Sequence, residues 1–197
     1  MIDNNSKILK IYLFRHGQTT LNRDKRFTGW LNPDLTPLGI KQAEKIALDL
    51  KDKEFQVAYC STLIRSKHTL DIVLKYHNNV EVIVDKRIME RSYGDLQGLS
   101  HVEYIKEVGK EQYDIYHRSY ETPPPGGESI ITVEKRVNEF LKELFEKMKK
   151  EKINVAICAH GNSIRPILKH FENLTIKEMM KLEIPWNDYF EFEVPID

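Results

Sequence analysis

Ile8-Leu9-Lys10-Ile11-Tyr12-Leu13-Phe14-Arg15-His16-Gly17-Gln18-Thr19 decides the fold. It begins as a β-branched and aromatic apolar run that predicts a buried strand, and breaks into Arg-His-Gly, where Gly17 lets the chain turn sharply. A strand therefore delivers a cation and an imidazole to its own carboxyl end, which in open α/β sheets is where ligands sit. The pattern repeats near the other end of the chain. Asn154-Val155-Ala156-Ile157-Cys158-Ala159 is a second short apolar run, ending in His160-Gly161-Asn162-Ser163. Two strand-end His-Gly pairs predict two imidazoles facing each other across one crevice.

Between these strands the punctuation alternates. The polar stretch from Gln18 to Leu35 is long for a connection, and such loops are usually functional. Thr36-Pro37 opens a helix with Ile40, Ala43, Ala47 and Leu50 on its apolar face. Phe55 to Cys60 reads as a strand, with Ser61 as cap of a helix that carries Arg65 near its N-terminus. Val80 to Val84 is a third strand, followed by the charged loop Asp85 to Gly98. Short helices are predicted around Ser100–Glu107 and Lys110–Arg118, and His101 and His117 on them are expected to be solvated. The Pro-rich stretch Thr122 to Glu128 is a turn, because proline lacks an N–H. Ser129 opens the longest helix, with Val133, Val137, Phe140, Leu141, Leu144 and Met148 at helical spacing. A helix from about Ser163, a capping box at Thr175 to Glu178 and a last strand at Asp188–Val194 complete the chain. Strands alternating with helices predict an α/β sandwich with a mostly parallel sheet, as one domain over residues 1–197.

Composition narrows the partners. Lys plus Arg balances Asp plus Glu at 30 each, so no global field favours nucleic acid or an anionic membrane. Cys60 and Cys158 each close an apolar strand, too few for a disulfide scaffold and suited to a reducing compartment. Met1 to Ser6 is polar, and no run approaches bilayer-spanning length. A cytoplasmic protein is expected.

Arg15, His16, Arg65 and His160 at one sheet edge, with helix N-termini behind them, suit a dianion such as a phosphoryl group. A neutral imidazole can attack phosphorus, and neighbouring guanidinium charge favours the neutral form, so His16 is the candidate nucleophile. Transfer to or from an alcohol needs an acid, and Glu90, in the loop after the third strand, is the best-placed carboxylate. A metal site from His16, His160 and Glu90 fits worse, because Arg15 would repel a cation and the usual ligand spacing is missing. Cys60 to Arg65 is one residue short of the cysteine phosphatase loop. No Gly-rich nucleotide motif is present.

These residues belong to a wider pattern. Arg15-His16-Gly17-Gln18, Asn22, Arg26-Phe27-Thr28-Gly29-Trp30, Ser61 to Arg65, Glu90-Arg91-Ser92-Tyr93-Gly94-Asp95-Leu96-Gln97-Gly98-Leu99, Arg118-Ser119-Tyr120, Gly127-Glu128-Ser129 and Ala159 to Arg165 occur in that order. The set resembles the histidine phosphatase superfamily, and over nearly the whole chain its cofactor-dependent phosphoglycerate mutase branch, in the short form. The resemblance implies a three-layer α/β sandwich, phosphohistidine at His16, proton transfer by Glu90, and a phosphoryl group held by Arg15, Arg65 and His160. It implies a substrate site of Asn22, Thr28, Gly29, Tyr93, His101, His117, Arg118, Gly161 and Asn162, primed by 2,3-bisphosphoglycerate without a metal. The implied reaction interconverts 2- and 3-phosphoglycerate in glycolysis and gluconeogenesis. The implied partner is a small-molecule phosphoglycerate, with a homodimer allowed. His101 stands where the mutase pattern has Lys, and His117 where it has the first of two arginines. That exchange predicts a far wall whose charge falls as pH rises past the imidazole pKa of ~6.5. A broad-specificity phosphatase is therefore the alternative reading. A non-catalytic phosphoester-binding module is disfavoured, because both histidines, Arg65 and Glu90 are all present.

Overall fold

The apolar run after Ile8 is a strand, β1 (Leu9–Arg15), whose alternating side chains enter two different cores: Leu9, Ile11 and Leu13 one, Tyr12 and Phe14 the other. The computed structural model describes residues 8–196; the polar segment Met1 to Ser6, with Lys7 and Asp197, lies outside them. Four further strands, β2 (Val57–Cys60), β3 (Glu81–Val84), β4 (Val155–Ala159) and β5 (Tyr189–Val194), complete a sheet of order β3-β2-β4-β1-β5. All neighbours are parallel except β5, which runs antiparallel along β1.

Period-two alternation of buried strands demands helices on both faces. Helices α2 (Pro37–Leu50) and α3 (Ile64–Val73) cover the side of Tyr12, Phe14, Ala58, Cys60, Ala156 and Cys158. Helices α5 (Ile130–Glu151) and α6 (Gly161–Glu172) cover Ile11, Leu13, Val57, Tyr59, Val155 and Ile157. The result is the three-layer sandwich. Both cysteines are buried and free. Among the described residues no helix is long and apolar enough to cross a membrane.

Local chemistry sets the helix starts. Thr36 caps α2 through Gly39 N–H with Pro37 at the first helical position, and Ser129 caps α5 through Thr132 N–H. Thr175 and Glu178 form the capping box of α7 (Ile176–Lys181). Ser61 departs from expectation: Leu63 is the N-cap of α3, without a side-chain bond, and Ser61 Oγ instead accepts from Leu63 N and pairs with His160. The long loop holds a short helix, α1 (Thr20–Arg23), capped by Thr19. The two helices expected between Ser100 and Arg118 follow one another directly as the halves of α4 (His101–Arg118), divided at Gly109, whose φ of 83° and ψ of 161° are non-helical. The helix after the second His-Gly begins at Gly161, two residues earlier than expected.

Gly17 serves a close approach between backbones and does not adopt a left-handed turn. A β-carbon there would lie 2.2 Å from the Gly39 carbonyl oxygen, and one on Gly39 would lie 2.1 Å from the Gln18 carbonyl oxygen. The end of β1 thus rests directly on the first turn of α2, which fixes the height of His16. Gly39→Ala is expected to cost at least about 1–3 kcal/mol, as overpacking against backbone does. Urea unfolding of the variant measures it; an unchanged midpoint would show that the two segments can separate freely.

Candidate active site

Two neighbouring strand ends assemble the centre. His16 N–H donates to the Ala159 carbonyl across the β1–β4 seam, and the imidazoles of His16 and His160 face each other with ring centroids 4.8 Å apart. Both are closed off, at 1% and 0% exposure. His16 Nδ1 lies 2.7 Å from the Gly17 carbonyl, which can only accept, so Nδ1 carries the proton. Arg65 Nε, which can only donate, lies 3.3 Å from His16 Nε2. The lone pair at Nε2 is therefore fixed by two backbone-anchored partners, because Arg65 itself donates to the carbonyls of Gly29 (2.7 Å) and Leu31 (2.8 Å). Burial, then the charges of Arg65 and Arg15, hold the His16 pKa well below 6.5 and the ring neutral. Burial, Arg65, His16 and Arg15 lower His160 in the same way. His160 Nε2 pairs with Ser61 Oγ at 2.7 Å.

Outside this buried layer lies a cavity of about 410 Å³. Arg15 and Glu90 line it, whereas His16, Arg65 and His160 sit behind its inner surface. Glu90 Oε1 accepts from the N–H groups of Arg91 (2.8 Å) and Asn162 (3.1 Å), the latter in the first turn of α6. Oε2 and Arg15 Cζ lie 3.8 Å and 3.6 Å from the point where a β-carbon on Gly161 would stand, so the carboxylate and guanidinium flank that glycine. The Glu90 backbone is clamped in turn: its carbonyl accepts from Trp30 Nε1 (2.8 Å) and Arg136 Nη2 (3.1 Å), and Arg136 is paired with Glu128. Arg15 and Arg65 are lowered to about 10 by burial, with Glu90 opposing, and remain cations at neutral pH.

Asn22, Thr28, Gly29, Tyr93, His101, His117, Arg118, Gly161 and Asn162 all line the cavity. The two distal histidines are not the solvated, titrating groups expected from sequence. His101 stacks on Phe27 at 4.1 Å between centroids, lies 5.1 Å from His117, and pairs through Nδ1 with Tyr113 Oη at 2.8 Å. Burial, followed by His101, Arg118 and other cations, pushes His117 down to about 3, and burial lowers His101 as well. His117 is therefore neutral at pH 6 to 8 and His101 is shifted towards its neutral form, so this wall carries less pH-dependent charge than expected, because the rings are packed among aromatics. The cations here are Arg26, Arg118 and Arg165. Arg26 and Arg165 were in the quoted motifs but not among the predicted site residues. Arg165 follows Asn162 by one helical turn and donates to its Oδ1, a spacing that was available as a signal. Trp186, Ile184, Glu183 and Met180 also line the cavity, and no sequence signal pointed to them.

Comparison with known proteins identifies the family. Residues 11–193 match the family model of the histidine phosphatase superfamily, branch 1. The chain is 39% identical over 179 residues to the 2,3-bisphosphoglycerate-dependent phosphoglycerate mutase of Nitrobacter hamburgensis, covering 88% of this chain and 86% of that one. A mycobacterial glucosyl-3-phosphoglycerate phosphatase superposes with a TM-score of 0.82 at 25% identity, over 95% of this chain and 91% of the other. The phosphoglycerate mutase of Bacillus anthracis shares the fold at a TM-score of 0.78 and 22% identity, over 98% and 90% of the two chains.

Neutral buried imidazoles leave a stability signature. An unfolded histidine takes up a proton near pH 6.5 that folded His16 and His160 refuse, so the unfolded chain binds more protons below that pH. Stability is then complete above about pH 6.5 and falls on acidification, by up to about 1.4 kcal/mol per pH unit for each such ring. Urea titrations between pH 7.5 and 5 should show this slope, reduced by about one ring's share in His160→Asn. A slope equally steep in the variant would mean that His160 is charged in the folded protein.

Proposed function

The chain belongs to the histidine phosphatase superfamily, and on that premise we propose that it is a cytoplasmic 2,3-bisphosphoglycerate-dependent phosphoglycerate mutase, interconverting 3- and 2-phosphoglycerate through phosphohistidine at His16. The observation that carries the reading is the fixed tautomer of His16, with Nε2 unprotonated against Arg65. The mutase names of relatives at 37–39% identity support the substrate.

In this reading the phosphoryl group to be passed to His16 enters past Arg15 and replaces His16 Nε2 as the partner of Arg65 Nε. The nitrogen lone pair forms the N–P bond as the P–O bond breaks, and Glu90 gives its proton to the departing hydroxyl oxygen. Arg15, Arg65 and His160 hold the oxygens whose charge changes in the transition state. For transfer to substrate, Glu90 removes the proton from the free hydroxyl of a bound monophosphoglycerate, whose oxygen attacks phosphorus as the N–P bond breaks. The glycerate, now phosphorylated on both hydroxyls, returns its other phosphoryl group to His16 and leaves as the isomer. The residues present also fit the priming molecule, a bisphosphate with a carboxylate. Arg15, Arg26, Arg118 and Arg165 surround the cavity, and Arg15 Nε, His117 Nδ1 and His160 Nδ1 are buried without a protein partner. When bound, that molecule supplies the phosphoryl group His16 needs before the first turnover.

The pair His101 and His117, both held below the ordinary imidazole pKa, favours a second reading, a phosphatase for small phosphomonoesters. A mutase must retain the doubly phosphorylated glycerate while it reorients, and on this wall Arg26, Arg118 and Arg165 supply the fixed charge for that task.

Purified protein given 3-phosphoglycerate is expected to form 2-phosphoglycerate in a 2,3-bisphosphoglycerate-dependent manner. Phosphate released per isomer should fall in the His101→Lys, His117→Arg double variant, which restores fixed charge to this wall. Phosphate without isomer would establish the phosphatase reading instead. Glu90→Gln should lower turnover by about 10²–10⁴-fold with a much smaller change in substrate affinity, as expected for a proton donor. Steady-state kinetics separate the two effects: lost affinity with unchanged turnover would make Glu90 a binding group.

A further inference from the structure

The segment between α7 and β5 is tied down by two arginines of the cavity. Arg165 donates to the Leu182 carbonyl through Nε (3.3 Å) and Nη2 (3.0 Å), and Arg15 donates to the Ile184 carbonyl through Nη1 (3.0 Å). These bonds lay the Trp186 ring against the Arg15 guanidinium, 4.4 Å from Cζ to centroid, where the indole also lines the cavity. Indole is the strongest aromatic partner for a cation, and a stacked guanidinium keeps its in-plane N–H groups available for other acceptors. Two such donors are open in this corner. Arg15 Nε and Trp186 Nε1 are both buried and have no hydrogen-bond partner. Buried donors normally find an acceptor, and a ligand oxyanion would supply one.

We propose that Trp186 is a positioning residue of the oxyanion site: its face fixes the plane of the Arg15 guanidinium, and its indole N–H donates to an oxygen of the same bound phosphoryl-bearing ligand. The contact arises from a coil far from every recognised motif, against a cation that also lies beside Gly161 and Glu90. Trp186 acts chiefly through Arg15 and takes no part in moving protons. The inference rests on the phosphoryl-transfer reading above.

Orthovanadate, a phosphoryl-like anion, tests it on the full chain by titration calorimetry. Trp186→Leu should weaken binding by between about twofold and about thirtyfold, the equivalent of the ~0.5–2 kcal/mol typical of a cation–π pair. Trp186→Phe keeps a ring but no N–H, and should fall between wild type and the Leu variant while melting like wild type. In an Arg15→Ala background the Leu substitution should weaken binding far less, since the residue it acts through is gone. Full additivity with Arg15→Ala, or Leu and Phe variants that bind as wild type does, overturns the inference and leaves the phosphoryl site standing. A wild-type protein that binds no orthovanadate overturns both.

Discussion

The constraint on which the site depends is the pair of contacts that bracket one imidazole: the Gly17 carbonyl on Nδ1 and the Arg65 guanidinium on Nε2 of His16. An acceptor on one nitrogen and a donor on the other leave a single tautomer, and burial beside two arginines leaves a single charge state. Neither partner is a mobile side chain acting alone. The Gly17 carbonyl follows the strand end, and Arg65 is moored to the carbonyls of Gly29 and Leu31. The long loop after β1 therefore orients the guanidinium, and the sheet orients the ring.

Electrostatics separates the site into two zones. The inner zone places neutral imidazoles among buried cations, which favours a dianion entering and disfavours any proton that would quench the nucleophile. The outer zone mixes guanidinium groups with an aromatic cage around His101 and His117, where burial disfavours the charge that exposed imidazoles would carry. Recognition out there depends on where Arg26, Arg118 and Arg165 sit, and ring stacking supplies shape.

Much of this was legible in the chain because it is local. Apolar runs ending in His-Gly gave the two strand ends, and Thr36-Pro37, Ser129 and Thr175 marked helix starts through capping chemistry that acts over three residues. The cavity-lining positions came from the family pattern, not from periodicity. What could not be read depends on distant pairs. Ser61 looks like a helix cap by spacing, but its hydroxyl serves His160, which is 99 positions away. Gly17 looks like a turn residue, but its requirement comes from the backbone of Gly39. Trp186 had no local signal at all, and the burial of His101 and His117 became visible only once Phe27 and Tyr113 had packed against them.

The position of β1 inside the sheet bears on how the protein comes to exist in a cell. Both hydrogen-bonding neighbours of this first strand, β4 and β5, are the last strands of the chain. During synthesis Leu9 to Arg15 emerges as an apolar strand with both edges open, long before the distant partners that close them. Pairings of such high sequence separation form late and slowly. The nascent chain must keep this apolar strand unpaired until β4 and β5 have been made, so yield on overproduction depends on chaperone capacity in that interval.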